Sequence, residues 1–243
     1  MEPDDPLPWR QARHSPSGVA IEVERRSTGT HDALVVRTTD RRFGKALQEL
    51  FFQGDAGEFR KSFPAGSLTT DIYERFARCA DALLRQTARL EPVPWDRALE
   101  EAARRLDREG VHWWLTGSTA LAIRGVDAAP RDIDLVLDET GAMVAARAFG
   151  DALIEPAVPV DGWVCRWFGR AFIGARVEWI GGVLEAADRP EPTDFGLVAQ
   201  GNLEQVPWRG VNIHVPPLAL QRAAAVRRGL GDRVAAIDAW GRL

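Results

Sequence analysis

The stretch LTGSTALAIRGVDAAPRDIDLVLDE, residues 115–139, gathers residue types that suit a phosphorylated substrate. Asp132 and Asp134 flank Ile133 at the head of the apolar run DIDLVLD. In a strand alternate side chains share a face, so the two carboxylates point the same way, about 7 Å apart along the strand, while Ile133 and Leu135 turn to the core. Two like charges in a cleft need compensation, and a divalent cation held by hard carboxylate oxygens supplies it. Upstream, Gly117-Ser118 closes the strand-like VHWWLT and opens the helix-like STALAIRG. A helix N-terminus offers unpaired backbone N–H groups, and a glycine there lets an anion come close. Ser118 can cap that helix or turn its hydroxyl to a phosphate oxygen. If neighbouring strands join the two features, a phosphate cradle faces a metal site.

Gly117-Ser118, thirteen intervening residues and Asp132-Ile133-Asp134-Leu135 resemble the signature of the nucleotidyltransferase superfamily, to which DNA polymerase beta, poly(A) polymerases and antibiotic nucleotidyltransferases belong. The order of elements around the motif, helix, strand, Gly-Ser, short helix, turn, strand, is that of the family's minimal core. The tail VNIHVPPLALQRAAAVRRGLGDRVAAIDAW is similar to the closing strand and helices of small bacterial members, including AbiEii-like abortive-infection toxins. The resemblance covers roughly residues 95–243. It implies a third carboxylate on a later strand, and GARVEWIGG offers Glu178, a lone acid in an apolar run. On period 2 Glu178 shares a face with Arg176 and Ile180, so an ordinary ion pair with Arg176 explains it equally well. Glu185 is the weaker substitute. The resemblance further implies two Mg²⁺ ions on Asp132, Asp134 and Glu178, with Glu178 helping to deprotonate an attacking hydroxyl. Gly117 and Ser118 would hold the β- and γ-phosphates of an NTP, and an NMP would pass to a hydroxyl acceptor on a small molecule, a tRNA or a protein. A toxin–antitoxin or phage-defence component, or a catalytically silent nucleotide-binding protein, uses the same fold. Haloacid dehalogenase-type phosphatases also carry Asp-x-Asp, but there the apolar strand runs into the aspartates, whereas here LVLD follows them.

These features predict an α/β (α+β) protein whose nucleotidyltransferase-like mixed sheet is flanked by helices. Residues 1–92 read as a small N-terminal α+β unit. Its strands are VAIEVERR and ALVVRTT; its helices are RRFGKALQELFFQ and TTDIYERFARCADALLRQTARL, the latter with Ile72, Phe76, Cys79, Ala80, Leu83 and Leu84 on one face. EPVPW breaks the pattern, and residues 95–243 form the second domain. There the helix DRALEEAARRLDRE stops at Gly110, GAMVAARAFGDAL is another helix, and WVCRWFGRAFIGARVEWIGG suggests an antiparallel hairpin around Gly169 and Arg170. VNIHV is a last strand before two short helices.

The 243 residues are 45% hydrophobic and 27% charged, the balance of a globular chain. A net charge of −4 argues against a broad nucleic-acid footprint. Lys45 and Lys61 are the only lysines, an arginine bias that genome composition explains as readily as phosphate binding. No run nears the roughly 18 apolar residues of a membrane span, and MEPDDPLPWR lacks the basic and apolar regions of a secretory signal, so the expected location is the cytoplasm. Cys79 and Cys165 sit in no metal or disulfide spacing and read as reduced, partly buried thiols. Arg124 and Arg131 read as local ion-pair partners, Trp113 and Trp114 as packing residues, and His112 and His214 as structural or surface groups.

Overall fold

The structure is a computed structural model that describes residues 10–14, 20–55 and 57–241. The Pro-rich lead through Trp9 and Val19, the first residue of the expected strand VAIEVERR, lie outside the described residues. The chain divides into two compact units, one formed by residues 1–92 with Leu153–Val158 and the other by residues 93–152 and 159–243.

In the first unit strands β1 (Arg10–His14), β2 (Ala20–Ser27) and β3 (His31–Thr38) are followed by helix α1 (Arg41–Glu49), β4 (Gln53–Asp55), β5 (Glu58–Pro64) and helix α2 (Thr70–Thr87). The sheet order is β1-β2-β3-β5-β4, antiparallel throughout. Asp40 caps α1 by accepting from the Arg42 N–H, and Thr69 caps α2 by accepting from that of Ile72. Leu34, Val36, Phe43, Leu47, Phe76, Leu83 and Leu84 form the buried interior. The helical face expected over α2 is buried except at Cys79, which is half-buried. Burial pushes the Cys79 thiol up to about 12, so it stays protonated and unreactive. Three strands escape the sequence reading: β1 follows directly on the Pro-rich lead, β4 has three exposed residues, and β5 buries only Phe59 and Phe63 among charged and polar neighbours.

Segment β8 (Leu153–Pro159) contributes Leu153–Val158 to the same unit. There the Lys61 ammonium donates to Glu155 Oε2 at 2.6 Å, and Arg75 Nε donates to the Leu153 carbonyl at 2.9 Å.

The second unit begins with α3 (Trp95–Arg108), β6 (Trp113–Thr116), α4 (Gly117–Ile123), β7 (Ile133–Leu137) and α5 (Glu139–Ala148). It continues through β9 (Cys165–Phe172), β10 (Arg176–Val183), α6 (Leu197–Gln200), β11 (Glu204–Trp208), β12 (Val211–Val215), α7 (Leu218–Arg227) and α8 (Gly231–Trp240). Its strands lie in the order β6-β7-β10-β9, with β7 antiparallel to β6 and parallel to β10, so the sheet is mixed as expected. Residues paired across neighbouring strands share a face, which gives this sheet two opposed rows. One row is Leu115, Leu135, Trp179 and Gly169. Leu115, Leu135 and Trp179 are buried, and the Trp179 indole donates to the Ala142 carbonyl of α5 and packs on Phe149 at 5.3 Å.

The expected antiparallel hairpin forms from β9 and β10, with its turn in another place. Gly169 and Arg170 lie mid-strand in β9, and the turn falls at residues 173–175, where Gly174 takes φ +84°. The glycine at 169 answers packing: a Cβ there would stand 2.1 Å from Trp179 Cζ2, so the indole lies where a side chain would be. VNIHV is a strand followed by two helices, as expected. As β12 it pairs with β11 in a separate two-stranded sheet. Leu121, Val126 and Ile237 pack together and hold α8 to α4. Among the described residues no helix is long and apolar enough to cross a membrane.

Candidate active site

The second row of the sheet carries the chemistry. Thr116 on β6 pairs with Asp134 on β7, Asp134 with Glu178 on β10, and Glu178 with Arg170 on β9. Asp132 stands just before β7, and its backbone carbonyl accepts from Thr119 Oγ1 of α4 at 2.5 Å. Carboxylate oxygens of Asp132, Asp134 and Glu178 all lie within 4.8 Å of one another. The period of the strands therefore brings these three acids together.

Gly117 sits against this group. Its φ is +69°, a left-handed conformation that glycine adopts freely, and a Cβ on it would meet Asp134 Oδ2 at 2.3 Å. The start of α4 is thus pressed onto the Asp134 carboxylate. Ser118 follows, buried in the first helical turn. The Thr116 side chain does not cap α4; its hydroxyl donates to Asp194 Oδ2 at 3.0 Å. Gln221 of α7 reaches the Gly117 carbonyl at 3.5 Å.

Two guanidinium groups bond directly to the acids, and that of Arg233 acts on Asp132, Asp134 and Asp194 by charge. Arg176 donates to Asp132 Oδ2, and its Nε lies 3.3 Å from Glu178 Oε1. Arg170, its side chain fully buried, donates from Nε to Glu178 Oε1 at 2.7 Å. Burial works against the charge of Arg176, yet Glu178 and Asp132 outweigh it and hold the guanidinium protonated, its pKa raised. Asp134 has the opposite balance. Burial first, then repulsion from Asp132 and Glu178, pushes its carboxyl well above the usual carboxylate range, with Arg176 opposing. Asp194 is raised too, chiefly by burial, although the Thr116 hydroxyl favours its charged form. Local negative charge thus exceeds what the arginines offset, and the excess falls on Asp134. Three hard oxygens around such an excess suit a divalent cation of the Mg²⁺ kind.

Other residues singled out in the sequence lie elsewhere. Glu185 is exposed and pairs with Arg189, away from the acid group. Arg124 pairs with Glu204 at 2.5 Å and the Pro216 carbonyl at 2.9 Å. Trp113 and Trp114 are buried, and the Trp113 indole donates to Asp107 at 3.3 Å. The rings of His112 and His214 face each other at 5.6 Å. The residues missed in the sequence are Thr116, Asp194 and Arg170. Arg170 was legible as a charge in an apolar run, whereas Asp194 stands in the irregular segment PEPTDFG with no pattern to mark it.

No protein-family model matches the chain, and no curated protein does. Among solved structures the chain is similar to a Thermotoga maritima protein classed provisionally as a nucleotidyltransferase. The identity is 27% and the TM-score 0.45, over 60% of this chain and 91% of that one. It is also similar to ANT(2")-Ia in complex with adenylyl-2"-tobramycin, at 11% identity and a TM-score of 0.34, over 60% of this chain and 96% of that one. At these TM-scores neither likeness carries an argument, and the functional reading rests on the geometry of the site.

Proposed function

We propose that the chain is a metal-dependent nucleotidyltransferase that moves a nucleoside monophosphate from an NTP to a hydroxyl acceptor. The observation that supports it is the row in which Asp132, Asp134 and Glu178 converge within 4.8 Å beside a glycine-opened helix start. Asp132, Asp134 and Glu178 would hold Mg²⁺. When bound there, the metal would supply neutralisation of charge on the phosphoryl group under transfer. Gly117 and Ser118 receive the β- and γ-phosphate oxygens through backbone N–H groups, so that pyrophosphate leaves in line. Thr119, by holding the Asp132 carbonyl, keeps the acid pair registered against that helix start. Arg170 and Arg176 fix the directions of Glu178 and Asp132, which limits the reorganisation needed when substrate arrives. The acceptor lies beyond these residues, because they read a triphosphate and not what is being modified.

The test is isothermal titration of the purified protein with each NTP in the presence of Mg²⁺, beside an Asp132→Ala/Asp134→Ala variant. Micromolar binding that requires Mg²⁺ and vanishes in the variant is expected. A folded wild-type protein that binds no NTP would sink the proposal.

A further inference from the structure

The acid group already contains a cation of its own. Arg176 reaches it from β10, two residues before Glu178 and on the same face, and its guanidinium spans Asp132 Oδ2 and Glu178 Oε1. Its side chain is nine-tenths buried, and its Nε finds no hydrogen-bond partner despite lying 3.3 Å from Glu178 Oε1. A guanidinium held there by charge, with a donor left without a well-directed acceptor, occupies the place of a cation bridging two carboxylates. Arg170 adds a second positive charge on Glu178. Asp134 alone of the three acids has neither arginine as a hydrogen-bond partner, while Gly117 brings the start of α4 against it.

Counted as ionised, the three carboxylates and the two guanidinium groups bonded to them leave one negative charge, and Asp194 and Arg233, which also act on Asp134, cancel each other. One divalent ion turns that to one positive charge. A second would raise it to three positive charges inside a partly desolvated site, where repulsion is strong.

We propose that Arg176 is a resident counter-cation standing in for one of the two divalent ions implied by the family pattern, so that the protein binds a single divalent ion, centred on Asp134. The proposal rests on the nucleotidyltransferase reading of the acid group as a metal centre. Arg176 is in these terms a positioning residue, which acts by holding Asp132 and Glu178 and by keeping a second ion out.

The test is the number of Mn²⁺ ions bound per chain, counted by equilibrium dialysis and by the electron paramagnetic resonance of free Mn²⁺ on the full-length protein without nucleotide. Wild type is expected to bind one ion, Arg176→Lys one, and Arg176→Gln two, with circular dichroism confirming that each is folded. Asp134→Asn is expected to lose the wild-type ion. Two ions in wild type would overturn the inference and leave the metal-centre reading intact, without relying on any variant. A folded Arg176→Gln protein that still binds one ion would also overturn it, as would an ion retained by Asp134→Asn. No ion in wild type or any variant would overturn the metal-centre reading together with the inference.

Discussion

Replacing Gly117 by alanine isolates the contact on which the site depends. Two penalties follow from the structure. An L-residue held at φ +69° costs about 1–2 kcal/mol relative to glycine, which for a chain of this size lowers the thermal midpoint by roughly 2–8 °C. The second penalty is local. A Cβ 2.3 Å from Asp134 Oδ2 must be relieved by more than about 1 Å to reach ordinary contact, and the carboxylate is the part able to turn. Turning it takes Asp134 out of the group of three, so affinity for Mn²⁺ should fall by at least about 10-fold, the smallest effect usual for disturbing even the outer contacts of a metal site. Gly125→Ala is the matched control. Its φ is +86°, but the nearest atom to a new Cβ is Trp240 Nε1 at 3.7 Å, so it carries the backbone strain without touching the acids. Calorimetric titration with Mn²⁺, paired with thermal unfolding in chelator, separates the two penalties. Both variants should lose similar stability and only Gly117→Ala should lose the ion. A folded Gly117→Ala protein with wild-type Mn²⁺ affinity would refute the reasoning, because it would show that the helix start does not constrain Asp134.

Two further outcomes are expected. Gly169→Ala should cost about 1–3 kcal/mol by forcing the Trp179 indole off its seat, read as a lower urea midpoint, and a wild-type midpoint would contradict the packing account. In chelator, the raised carboxyl of Asp134 makes stability depend on pH. The folded state keeps this proton more firmly than the unfolded chain, so the contribution is full below the usual carboxylate range and is lost as pH rises through Asp134's raised value. Asp194, raised in the same direction, adds to the slope. Asp134→Asn should therefore flatten the profile only in part, while Mn²⁺ affinity in wild type climbs over the same window as the ion displaces the proton. An unchanged slope in Asp134→Asn would remove Asp134 as its source.

The parts of the site that a sequence discloses are those written into a period. Asp132 and Asp134 announce themselves by alternation at the head of β7, and Glu178 by the same alternation in β10. What period cannot disclose is which strand lies next to which. The parallel pairing of β7 with β10 sets Glu178 opposite Asp134, although 43 residues separate them and two other strands intervene in the chain. Arg176 shows the same limit. The sequence allowed it as the partner of Glu178, and in the folded sheet that ion pair forms at 3.3 Å, but its hydrogen bond goes to Asp132 as well, which no period within β10 discloses. Gly169 misled because a glycine in an apolar run signals either a turn or a close approach, and only the Trp179 indole across the strand decides between them. Prolines hid two strands: Pro156 and Pro159 in β8, and Pro207 in β11, interrupt the β-branched runs by which strands are recognised.

The ownership of Leu153–Val158 bears on how this protein can be inherited or dissected. The backbone passes from the first unit to the second, back for six residues, and over again. No single cut separates the two. A fragment ending at residue 92 lacks Glu155, the carboxylate that receives Lys61, and lacks the Leu153 carbonyl that receives Arg75. A fragment beginning at residue 93 carries those six residues away from the unit they complete. Gene fusion or domain exchange at the linker therefore yields one piece with a missing segment and another with a surplus one.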